Sequence, residues 1–144
     1  MENSKQIVKK FERDGFYIAR NIIEIKKINN VLENICQVYF KRNSKSKFLK
    51  EKKPWKNNGF NKEMTDFHNK KREEFSEIYD GCQSSISATQ LVSSTITSKI
   101  ASLILKCKPI ELSHYQNMIR MDSPFNKLNR SAWHQEVQFF YNPG

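Results

Sequence analysis

No apolar run in this sequence is long enough to span a bilayer, and the hydrophobic share is 38%. A helical integral membrane protein is therefore not expected. The opening residues, Met-Glu-Asn-Ser-Lys, lack the basic-then-apolar pattern of a secretory leader. Cysteine is sparse: Cys36, Cys82 and Cys107 are isolated, odd in number and without metal-type spacing. That pattern argues against a disulfide framework or a zinc site, and reduced thiols in the cytoplasm are the expectation. No internal repeat is present. With 144 residues, the chain can form one domain with a core but is small for an enzyme.

Acidic residues are also in short supply, 15 against 25 basic ones, giving a net charge of +10. Such a charge suits a polyanion partner, but lysine outnumbers arginine 19 to 6. Arginine is the side chain that phosphate and base recognition favours, so no nucleic-acid partner is expected from the charge alone. The densest run, residues 41–56, holds eight Lys or Arg and one acid, Glu51. It reads as a solvated or mobile loop, or as a contact for an anionic substrate or membrane surface.

Ser4 can cap a short helix over residues 5–13, with Gly15 as a left-handed stop and a brief strand over residues 16–19. Ile25, Ile28, Leu32, Ile35 and Tyr39 recur at steps of three and four, predicting a helix over residues 24–40. Further helices are predicted over residues 63–79, closed by Gly81, and within residues 88–106. After Pro109 the periodicity becomes alternating. Residues 110–122 read as a strand with His114, Gln116, Met118, Arg120 and Asp122 on one polar face. A loop over residues 123–131 then leads to a second strand over residues 133–141.

His134 and Glu136 stand one residue apart, so on a strand they point the same way. Two histidines and one carboxylate make the facial triad that holds iron(II) and leaves three positions open. Taken alone, a His-x-Glu pair recurs by chance in many proteins. Its surroundings are more specific. Arg-Met-Asp-Ser-Pro (residues 120–124), a polar loop and Trp-His-Gln-Glu (residues 133–136) occur in that order. Together with Phe-x-x-Asp-Gly-Phe at residues 11–16, they resemble the phytanoyl-CoA dioxygenase family of iron(II)/2-oxoglutarate oxygenases.

The resemblance implies an α+β fold, in which N-terminal helices precede the first strands of a double-stranded β-helix, the jelly-roll core of cupin-like oxygenases. Residues 1–108 are then mainly helical and residues 109–144 carry the first core strands. It further implies hydroxylation of a small-molecule substrate, with Fe(II) as cofactor and 2-oxoglutarate as cosubstrate. His134 and Glu136 become metal ligands, and Gln135, Met118 and Arg120 flank the cosubstrate. Arg120 has a second reading, a surface ion pair with Asp122 or Glu136. In the family a second iron histidine and an arginine clamping 2-oxoglutarate come many tens of residues later, whereas eight residues follow Glu136 here. The expectation is an N-terminal portion that is inactive by itself. A different class of reading makes the chain a small basic helical module that binds nucleic acid or an anionic surface without catalysis.

Overall fold

Local sequence chemistry sets most of the helix ends. In the computed structural model, which describes residues 3–113 together with 119 and 121, α1 spans Ser4–Asp14. Its N-cap is Asn3 rather than Ser4, the Asn3 side chain accepting from the Lys5 amide at 3.1 Å. Gly15 closes it at φ 76° and donates its amide to the Phe11 carbonyl at 2.8 Å, the left-handed stop expected there. Helix α2 spans Ile25–Arg42 and α3 Asn58–Lys70, the latter capped by the Asn57 side chain. Helices α4 (Arg72–Gln83), α5 (Ile86–Val92) and α6 (Thr95–Leu105) follow. Ser85 and Ser94 cap the last two by accepting from the Ala88 and Thr97 amides.

The core lies where α2 crosses α4 and α5 and where α3 folds back along α4. Val31, Ile35, Cys36, Tyr39 and Phe40 of α2 meet Phe60 and Phe67 of α3 and Phe75, Ile78 and Cys82 of α4. Tyr39 is the hub: its ring sits edge-on to Phe60 and Phe67 at 5.5 and 5.3 Å between centroids. Helix α1 packs against α6, burying Ile7 and Ile100, and Lys106 bridges to Glu12 at 2.7 Å.

Several expectations change. The helix expected over residues 63–79 is two helices, broken at Lys71 (φ −137°, ψ 59°), and Gly81 lies inside α4 rather than closing it. The helix expected within residues 88–106 is likewise divided by Ser93 and Ser94. The α+β fold and its jelly-roll core are corrected to an all-helical architecture: the described residues contain no strand and no sheet. Residues 16–19 form no strand, and Phe16 and Ile18 are exposed. At the start of the strand expected over residues 110–122, Pro109–Glu111 forms a 3-10 turn instead. The Glu111 carboxylate holds that turn by accepting from the Lys108 amide at 2.6 Å. The rest of that stretch, apart from residues 112, 113, 119 and 121, and the whole stretch 133–141 lie outside the described residues.

Candidate functional site

The expected site residues Met118, Arg120, His134, Gln135 and Glu136 all lie outside the described residues. Among the described residues, no group of three or more His, Cys, Asp or Glu side chains is placed to hold a metal ion. The nearest described neighbours of Arg120 in sequence, Ile119 and Met121, both pack against the helical core.

Met121 also lines a groove of about 960 Å³ beside α2, α3 and α4. Leu32, Ile35, Trp55, Phe60, Met64 and Phe75 supply apolar walls, and Cys36, Asp66 and His68 add polar atoms. His68 comes from the last turn of α3 and lies edge-on to Phe75 across the break at Lys71, 4.7 Å between ring centroids. Its Nδ1 is buried without a hydrogen-bond partner. An imidazole so placed offers one unused acceptor or donor to a small polar group in an otherwise greasy groove. The sequence reading passed over this groove because its walls come from three helices and a loop. Trp55 and His68, aromatic rings set among lysines and asparagines, were the hint of it in the sequence.

Two further clusters have the residue types of chemistry without its geometry. Tyr39 Oη donates to Glu63 Oε1 at 2.8 Å and accepts from Asn43 Nδ2 at 2.7 Å. Burial raises the phenol well above its ordinary pKa; the Asn43 hydrogen bond works against that rise and Glu63 adds to it. The phenol therefore stays protonated and acts as a structural tie. Burial likewise pushes the Cys36 thiol up to about 11, with Cys82 adding to the rise, and the Cys82 thiol up to about 11. Thiols held protonated in an apolar core are poor nucleophiles and poor metal ligands.

No family model, curated protein or solved structure matches this chain. Among the described residues, no helix is long and apolar enough to cross a membrane.

Proposed function

We propose that the chain is part of an iron(II)/2-oxoglutarate-dependent hydroxylase of the phytanoyl-CoA dioxygenase kind, with His134 and Glu136 as two of its metal ligands. What carries this reading is the order of two motifs in one chain, Phe-x-x-Asp-Gly-Phe at residues 11–16 and Trp-His-Gln-Glu at residues 133–136. The first has the local form its residues require, a helix ended by a left-handed glycine. The second offers one imidazole and one carboxylate, a donor pair that suits iron(II). Iron(II), when bound, would activate dioxygen, one oxygen atom going into the hydroxylated small-molecule substrate and the other into the succinate left when 2-oxoglutarate loses CO2. The chain's own residues do the holding. A neutral His134 and an ionised Glu136 bind the cation, and Arg120 contributes positive charge toward a carboxylate of the cosubstrate. Gln135 and Met118 lie beside that cosubstrate in this reading.

The test is anaerobic Fe(II) binding followed by calorimetry, comparing the parent chain with His134→Ala, Glu136→Ala and His68→Ala. Loss of a direct ligand is expected to weaken binding by at least about tenfold in the first two variants, since even supporting residues are worth that much. His68→Ala is expected to bind as the parent does. Parent-like affinity in His134→Ala removes the assignment.

A further inference from the structure

The run of basic residues at 41–56 is a built surface. Ser46, Phe48 and Pro54 are buried, and the Phe48 ring stands edge-on to Phe60 at 5.8 Å between centroids. Trp55 packs against the same core. Consecutive turns, closed by the Ser46, Leu49, Glu51 and Lys56 amides, leave the chain little freedom between these anchors. With the apolar anchors inward, the seven lysines Lys41, Lys45, Lys47, Lys50, Lys52, Lys53 and Lys56 are all exposed. None of them is ion-paired with a carboxylate of the described residues. The one acid in the run, Glu51, accepts from Asn57 at 3.0 Å. Eight basic groups and one acid place a charge of +7 in sixteen residues, most of the chain's +10. In the middle of the lysines stands Leu49, 48% exposed.

We infer that this loop docks the protein on an anionic lipid surface, its lysines meeting phosphate and carboxylate headgroups and Leu49 entering the headgroup–acyl boundary. The partner is chosen by what the loop exposes. Single-stranded nucleic acid is held by stacking on exposed aromatic rings, but Phe48 is buried and Trp55 is half-buried against the core. The run's one arginine, Arg42, is engaged with Glu77 at 2.6 Å. An exposed leucine ringed by lysines has no use against a sugar–phosphate chain. A polybasic patch is instead drawn to an anionic bilayer by about 1 kcal/mol per lysine, and an exposed apolar side chain within it adds buried area at the interface. This inference stands apart from the iron-site reading and does not need it.

The 144-residue chain is sedimented with phosphatidylcholine vesicles with and without phosphatidylserine, at physiological salt. The loop variant carries Lys47→Glu, Lys50→Glu, Lys52→Glu and Lys53→Glu. A control reverses the same number of exposed lysines elsewhere: Lys5, Lys9, Lys26 and Lys99. Parent binding is expected only with phosphatidylserine, falling by on the order of a hundredfold in the loop variant and far less in the control. Leu49→Asn, which leaves the charge unchanged, is expected to weaken binding by about fivefold. Circular dichroism of each variant confirms that the helices persist. Equal losses in loop variant and control reduce the effect to bulk charge and overturn the proposal. So does tighter, loop-dependent binding to a single-stranded RNA of about 20 nucleotides than to the vesicles.

Discussion

Tyr39 joins the aromatic core to a polar tie, and its two halves can be separated. Tyr39→Phe keeps the ring contacts and removes the hydroxyl, leaving Asn43 and Glu63 within 3.2 Å of each other. The expected cost is about 1 kcal/mol in urea unfolding, the net worth of a satisfied hydrogen bond. Tyr39→Ala also opens a cavity under Phe60 and Phe67 and is expected to cost about 3–5 kcal/mol. The buried thiols give a pH signature. Folding raises both from 9.0 to about 11, so between those values the unfolded chain gives up protons that the folded chain keeps. Their contribution to stability is complete below pH 9 and is lost as the pH rises toward 11. Unfolding midpoints across that window should fall in the parent and fall less steeply in Cys36→Ala/Cys82→Ala. A thiol reagent at neutral pH should label Cys107, which is partly exposed, and reach Cys36 and Cys82 only on denaturation.

Helix existence was legible in periodicity, and helix boundaries were legible only where a strong local signal stood. Gly15 was such a signal, because its φ of 76° is one that other residues adopt at a cost. No atom lies within 4 Å of where a Cβ would sit, so the penalty of Gly15→Ala is backbone strain alone. About 1 kcal/mol is expected, read as a shift in thermal midpoint. Lys71 gave no comparable signal, and the break between α3 and α4 was missed. It is fixed by tertiary packing, which folds Phe67 and Phe75 onto the same core from two helices. In α2 the period was right and the face partly wrong. Ile25 and Ile28 stay exposed, while Val31, Cys36 and Phe40 are buried. The serines at 85 and 94 had no assigned role in the sequence reading of this stretch. They begin two helices, because a hydroxyl that competes with the backbone inside a helix satisfies it at the N-cap.

At the scale of the whole molecule, the helical packing and the proposed iron site draw on different parts of the chain. The core cluster runs from Val31 to Cys82, and the two described residues beyond 113, Ile119 and Met121, both pack against it. Alternation assigned those late residues to a strand, which the family resemblance placed in a jelly roll, but alternation records only which side chains face apolar surroundings. A helical core supplies those surroundings as well as a second sheet does. The proposed donor pair at His134 and Glu136 rests on something else, its place within a motif, which is read from residue order without knowing the fold. The two parts should therefore separate in experiment. A chain ending at Ser113 is expected to keep its helical circular dichroism and a cooperative melt, since α1 to α6 all lie before that point. It should lose at least about 2 kcal/mol, the worth of two half-buried apolar side chains, and all iron(II) affinity. Collapse of the melt would mean that the helical core depends on residues after 113 for much more than Ile119 and Met121. Retained iron binding would move the metal to the helices and away from His134.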